Sequence, residues 1–429
     1  MQQQNPRKNI RRGDKVRRKY KYVDRSFILF LLTSFQVISF TPVIFGGESI
    51  NYTVAGFLLL FILFEWLYVG FMRVVPKKVN FELEFIAFFL SGIGLCLTAS
   101  VDAKDMLKQM ITVFAGVIVY DVLLWFLMDV KRVMFVRTPL AVFTVIFIMA
   151  SFVFIRFVVG PINGAYNWIV IGNAFSFQPS EFVKIAFVFV GAATLDKLIT
   201  SKNIFLYLIF SGLCIGTLVI MKDLGTALIF FFTFVVIAYL RSGDFRTVLF
   251  FGAAAVFGAI VIMSLLPHVA SRFDAYRHVW EDINGKGYQQ TRVLIYSASG
   301  GLFGLGVGNG KLRNVYAATT DLVFGMISEE LGLIVAFSIV IAFAFLAIYA
   351  VKSSRSAPST FYAIAACSAS AMLLFQICLN IFGITDLLPL TGVTLPFISQ
   401  GGSSMISCWA LFAFIKSADI RAYPKTYKV

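Results

Sequence analysis

Between Phe273 and Gln290 the chain reads FDAYRHVWEDINGKGYQQ, a polar island set between two apolar runs. Asp274, Glu281 and Asp282 offer carboxylates there, and Asp321 adds another downstream. Arg272, Arg277, Lys286, Arg292, Lys311 and Arg313 surround them with cations. Carboxylates among cations suit a reaction in which a base removes a proton while an anionic leaving group is held. Phosphate is the natural anion, since arginine grips it with two parallel hydrogen bonds. A wetted loop is charged in any case, so composition alone leaves an ordinary solvated connector as the competing reading.

A second set of ionisable residues lies inside or beside the apolar runs: Glu65, Asp121, Arg156, Glu181, Lys184, Asp223, Glu329, Glu330 and Asp386. Such groups at membrane depth are costly, and they usually mark a functional or paired position. Glu181 and Lys184 are three residues apart, which puts them within reach on one helical face. A mutually neutralising structural pair and a polar cavity floor both fit that spacing. Glu65 and Asp121 can simply pack against neighbouring polar groups.

The elements that must position these groups are helices in lipid. Of 429 residues, 59% are hydrophobic and 14% charged, with mean hydropathy +0.85. A water-soluble globule needs far more surface charge. Apolar runs of roughly 18 or more residues recur, as spanning helices require. They do not alternate in the way the strands of a membrane barrel do. The five cysteines sit inside apolar runs without C-x-x-C spacing, as buried small hydrophobes rather than disulfides or ligands. The two histidines, His268 and His278, find no third ligand nearby in sequence.

The net charge of +15 does not point to nucleic acid. Residues 1–26 carry ten Lys or Arg against two Asp, the pattern of a cytoplasmic tail touching anionic lipid. No small-residue cleavage site follows the first apolar run, so the tail is not a cleaved signal. Twelve spans are predicted, near 27–45, 53–72, 82–100, 108–128, 136–159, 180–198, 203–220, 224–240, 246–266, 322–350, 360–383 and 397–416. Basic residues repeat in alternate connections (Arg73, Lys131, Lys197, Arg241, Lys352), whereas 160–180 has none. That asymmetry puts both termini, including 421–429, in the cytoplasm and the 267–320 loop outside. Loops of this length are usually functional. Its second half, SGGLFGLGVGNGK from Ser299 to Lys311, is too broken for a lipid-facing helix and is expected to fold back over the bundle.

Five stretches carry a resemblance. They are NGAYNWIVIGNAFSFQPSEFVK (163–184), DLGT (223–226), WEDINGKGYQ (280–289), TDLVFGMISEELG (320–332) and NIFGITDLLPLTGVTLPFISQGGSS (380–404). In order and spacing they resemble the SEDS family (shape, elongation, division and sporulation), the FtsW/RodA/SpoVE group, over about 82–420. The last stretch is the most specific. The resemblance implies an all-α polytopic membrane protein with a ten-helix core over 81–420, preceded here by an extra hairpin at 27–80.

It also implies a peptidoglycan glycosyltransferase acting on lipid II at the outer face of the cytoplasmic membrane. Asp282 aligns with the family's essential carboxylate, expected to act as general base on the acceptor hydroxyl while undecaprenyl pyrophosphate departs with inversion. Trp168, Glu181, Lys184, Lys286, Tyr288, Gln289, Arg292, Asp321, Glu329 and Ser403 are the expected substrate-binding set. No cofactor is fixed by the resemblance, though a divalent cation such as magnesium or manganese is a candidate at the pyrophosphate. A class B penicillin-binding protein, a transpeptidase, is the implied partner. The chain departs from the family pattern at Asn167, where arginine is common, at Lys222, where proline is common, and at Asp386, often glycine. A lipid II flippase is the alternative reading, but it should concentrate essential groups at mid-membrane on broken helices. A silent scaffold is the third.

Overall fold

The computed structural model describes residues 25–47, 49–75, 80–162, 164–171, 175–196, 201–265, 276–285 and 287–420. Residues 1–24 of the basic tail, Arg272, Asp274 and Lys286 lie outside those residues. Among the described residues the chain is a bundle of long helices with one small β-hairpin. They are α1 (Arg25–Phe45), α2 (Tyr52–Val74), α3 (Glu82–Val101), α4 (Ala103–Leu127) and α5 (Val130–Phe154, continued by a π turn Ile155–Val159). The hairpin β1 (Ile169–Ile171) and β2 (Phe175–Phe177) leads to α6 (Pro179–Asp196), α7 (Ser201–Ile220), α8 (Leu224–Ser242) and α9 (Phe245–Leu265). The polar segment carries α10 (Tyr288–Ser299) and α11 (Val323–Glu330), and α12 (Gly332–Arg355), α13 (Thr360–Ile384) and α14 (Gly402–Ser417) complete the fold.

Eight of these helices are long and apolar enough to cross a bilayer, and stretches of α7 and α9 are shorter apolar helices. With the family shown below, this is a multi-pass membrane protein. The twelve expected spans all correspond to helices, with two differences. The expected span 322–350 is broken, because Gly332 has φ +83° and separates α11 from α12. The last helix starts at Gly402 rather than 397, since Leu395–Gly401 is taken up by turns that line the site.

The break is stitched by the glycine-rich loop. Leu305 N donates to Glu329 O (2.9 Å) and Gly306 N to Glu330 O (3.0 Å), while Leu333 N donates to Gly301 O (3.0 Å) and Ile334 N to Leu302 O (3.2 Å). Carbonyls at the end of α11 and amides at the start of α12 thus find partners they lack within their own helices. A Cβ at Gly332 would stand 2.4 Å from both Gly304 N and Leu302 O, so only glycine fits.

The core sits around α14, buried along nearly its whole length and packed on α4, α6 and α13. Trp409 anchors it against the rings of Phe88, Tyr120 and Phe397, at centroid distances of 5.4–5.7 Å. Gly116 admits the indole: a Cβ there would lie 2.5 Å from its Cδ1. At the end of the bundle carrying residues 25 and 420, Lys416 pairs with Glu84 (3.1 Å) and donates to Asn80 O (2.6 Å). Asp419 accepts from Asn80 Nδ2 (2.9 Å) and Tyr349 (2.7 Å). Within the α1–α2 hairpin Gln36 donates to Glu65 (2.8 Å), and Tyr68 of α2 donates to Asp121 on α4 (3.2 Å).

Candidate active site

α6 enters the bundle with Pro179 at its first position, suited to proline because that amide has no helical partner. One turn later Lys184 Nζ meets Glu181 Oε1 at 2.8 Å and Gln376 Oε1, from α13, at 2.9 Å. The second oxygen of Glu181 accepts from Ser407 on α14. Gln376 in turn donates to Thr394 O (2.8 Å), and Thr394 is 2.8 Å from Ser404. Both charges are therefore paired and hydrogen-bonded, the condition under which a buried ion pair is tolerated.

The α7–α8 turn supplies the next wall. Asp223 caps α8 by accepting from Thr226 N (3.3 Å), and its other oxygen accepts from Gln178 Nε2 (2.7 Å) and Asn167 Nδ2 (3.3 Å). These residues border a cavity of about 330 Å³. Trp168, Glu181, Lys184, Asp223, Gln376 and Ser404 line it, and Tyr316, Thr320, Asp321 and Gln400 close one side. The latter are held by Gln400 N to Thr319 O (2.9 Å), Ser399 to Thr320 O (2.5 Å) and Asn380 Nδ2 to Asp321 O (2.9 Å).

Of the expected site residues, Trp168, Glu181, Lys184 and Asp321 meet at this cavity. Ser403 stands just behind it, accepting from Gln178 N (3.3 Å). Tyr288, Gln289 and Arg292 lie on α10 and do not line it. Arg292 stacks over the Tyr288 ring (5.3 Å), and Gln289 donates to Tyr316 O (3.0 Å), tying α10 to the cavity wall. Lys286 lies outside the described residues. Glu329 is away from the cavity and fully buried, accepting from Lys311 N (2.7 Å) and Leu312 N (2.9 Å). Its oxygens hold the glycine-rich loop, so the geometry gives it an anchoring task rather than a substrate contact.

Asp282 is exposed, in the turn just before α10, and does not line the cavity. Its carbonyl accepts from Gly285 N (3.2 Å) and Gly287 N (3.1 Å). The carboxylate folds over Gly285, where a Cβ would lie only 2.3 Å from Oδ2. Next to the loop, burial pushes the Glu330 carboxyl up to about 7, against the lowering effect of the Gly308 amide (2.9 Å).

Gln178, Asn167, Gln376, Thr394, Gln400 and Ser404 were not among the expected contacts. An uncharged amide in the middle of an apolar helix, as at Gln376, is the signal that points to such a position.

The family described as cell cycle protein, that of FtsW, RodA and SpoVE, matches residues 93–423. The peptidoglycan glycosyltransferase RodA of Mycobacterium tuberculosis (strain ATCC 25618 / H37Rv) is 28% identical over 428 residues, covering 91% of this chain and 89% of that one. Stage V sporulation protein E of Bacillus subtilis (strain 168) is 33% identical over 254 residues, 57% of this chain and 68% of its own. Two solved structures share the fold at 21% identity, each covering 82% of this chain. One is of a peptidoglycan synthase complex coordinating polymerization and crosslinking (TM-score 0.66, 99% of that chain covered). The other is the rod shape determining protein RodA of Thermus thermophilus (TM-score 0.57, 98% covered). The extent of the family match, over most of the chain including every wall of the cavity, settles its kinship: this protein belongs to the FtsW/RodA/SpoVE family.

Proposed function

We propose that this protein is a peptidoglycan glycosyltransferase that polymerises lipid II into glycan strands at the outer face of the cytoplasmic membrane. The observation that carries the reading is the joining of two parts by Gln289 and Tyr316. An exposed carboxylate turn at Asp282 precedes α10, and α10 is tied to the wall of a polar cavity set in an apolar bundle. Both termini face the cytoplasm in this reading, following the basic connections.

Asp282 takes the proton from the acceptor sugar hydroxyl. The oxygen then forms a bond to the anomeric carbon of the donor, the bond from that carbon to the diphosphate breaks, and undecaprenyl diphosphate leaves with inversion. The exposed side chain is open to an approaching hydroxyl, and a general base must come within hydrogen-bond reach of the proton it takes. The cavity residues bind and orient, with Trp168 offering a flat apolar face and Asp321, Gln400 and Thr320 offering groups for sugar hydroxyls. Among the described residues no cluster of three carboxylate, imidazole or thiol ligands gathers, so a divalent cation would need oxygens from the diphosphate itself. A class B penicillin-binding protein is the proposed partner, since a solved structure with this fold couples polymerization to crosslinking.

The test is purified protein with lipid II, with and without such a transpeptidase, scored for glycan length. Movement of labelled lipid II between leaflets without any lengthening would replace this reading with the flippase. The fully buried Lys416–Glu84 pair favours a bundle closed at its cytoplasmic end, which suits chemistry on one side better than transport.

A further inference from the structure

The turn of Asp282 and the polar cavity are both fastened to the last turns of α13. Gln376 and Asn380 lie one turn apart on that helix. Gln376 accepts from Lys184 and donates to Thr394 O, both in the cavity wall. Asn380 Nδ2 donates to Asp321 O (2.9 Å) and Val393 O (2.7 Å). The helix then ends at Gly383 and Ile384, both buried, where helix carbonyls run out of intrahelical donors. Gln290 of α10 supplies one. Its Nε2 donates to Gly383 O (2.7 Å) and Ile384 O (3.0 Å), and the residue is 5% exposed.

From Gln290 back to Asp282 the backbone bonds run in an unbroken series. Gly285 N and Gly287 N donate to Asp282 O, Tyr288 N donates to Gly285 O (3.1 Å), and Thr291 N and Oγ1 both donate to Gly287 O (2.9 Å). The carboxylate turn and the first turn of α10 are therefore one piece. Two other ties of this region, Gln289 to Tyr316 O and Tyr276 to Leu387 O (2.8 Å), are exposed, so water can take their place. The bond of Gln290 is dry, and losing it strands two buried carbonyls. Further along α10, Val293 packs on Gly325, where a Cβ would lie 2.2 Å from its Cγ2. That apolar contact seats the second half of the helix without help from Gln290.

We propose that Gln290 is a positioning residue of the polymerisation site: its amide clamps α10 to the end of α13 and so sets where the Asp282 carboxylate stands relative to the cavity. The role rests on the glycosyltransferase reading, in which Asp282 is the base.

The full-length protein in nanodiscs is assayed with lipid II, and its backbone hydrogen exchange is measured in parallel. Gln290→Met keeps the unbranched stem and removes the donor. It should lower kcat about 10- to 100-fold, the effect of a displaced catalytic group, and leave KM for lipid II within about twofold. Because the clamp acts through Asp282, the same change should slow the residual rate of Asp282→Asn by less than about twofold. Exchange should quicken at the described amides of 281–288 and stay as in the wild type at 293–299. If Gln290→Met fails to fold, Gln290→Asn, which keeps an amide one methylene short of its acceptors, should show the same pattern to a smaller degree. An undiminished kcat would overturn the proposal, as would equal slowing of the wild type and Asp282→Asn, or unchanged exchange at 281–288. If the wild type never lengthens glycan but exchange at 281–288 quickens in Gln290→Met, the polymerase reading fails and the clamp stands.

Discussion

The ammonium of Lys184 lies 2.8 Å from the carboxylate of Glu181, with the two side chains only 2% and 5% exposed. Three helices converge on that pair, because Gln376 of α13 and Ser407 of α14 complete its hydrogen bonds. Removing one partner leaves the other charge stranded. Lys184→Met should cost about 3–5 kcal/mol, read as a lowered unfolding temperature in detergent, with glycan synthesis lost. Glu181→Gln combined with Lys184→Met should be markedly more stable than Lys184→Met alone.

Asp282→Asn should fold and reach the membrane as the wild type does, since the side chain is exposed. Polymerisation should fall about 10²–10⁴-fold. Gly285→Ala provides a second approach, because the added Cβ would stand 2.3 Å from Asp282 Oδ2 and must displace the carboxylate. It should lower the turnover number while the unfolding temperature stays close to the wild-type value. Full activity in Asp282→Asn would remove the general base from the mechanism.

Gly304 has φ +81°, and a Cβ there would sit 2.3 Å from Glu330 O. Gly304→Ala should therefore release the loop from the α11–α12 break at a cost of at least about 1–3 kcal/mol. Limited proteolysis should cut within 301–311 in the variant and spare the wild type.

Glu330 titrates at about 7 in the folded protein, against 4.5 for the ordinary carboxyl. Between those values the folded chain holds more protons than the unfolded one, so stability from this group is complete below about 4.5 and is lost as pH rises through 7. One of its oxygens is buried without a partner, consistent with a group that favours its neutral form. Glu330→Gln should match the wild type near pH 5 and exceed it at pH 8, in unfolding temperature measured across that range.

Much of the fold was legible because lipid imposes long apolar runs, and a helix stands at each expected position from α1 to α9, although α4 and α5 begin at Ala103 and Val130 rather than at 108 and 136. The break at Gly332 was not, because 322–350 reads as one hydrophobic stretch and the partners that satisfy its freed amides lie some thirty residues upstream in sequence. The site was half legible. Glu181 and Lys184 announce themselves by charge in an apolar helix, and Trp168 and Asp321 by motif. Glu329 shares a motif with cavity residues yet caps a loop, and sequence proximity does not separate the two tasks. The neutral amides Gln178, Gln376 and Gln400 converge only through the tertiary packing of α6, α13 and the turns before α14.

The near-complete enclosure of α14 bears on how the molecule is made. Its partners α4, α6 and α13 are synthesised first and must wait, already inserted, with a vacant slot between them. Only when α14 leaves the ribosome can Ser407 reach Glu181 and Lys416 reach Glu84. Assembly of this core thus waits for α14, whose contacts are among the longest-range in the chain, and a nascent intermediate with its slot open is the species most in need of protection by the insertion machinery.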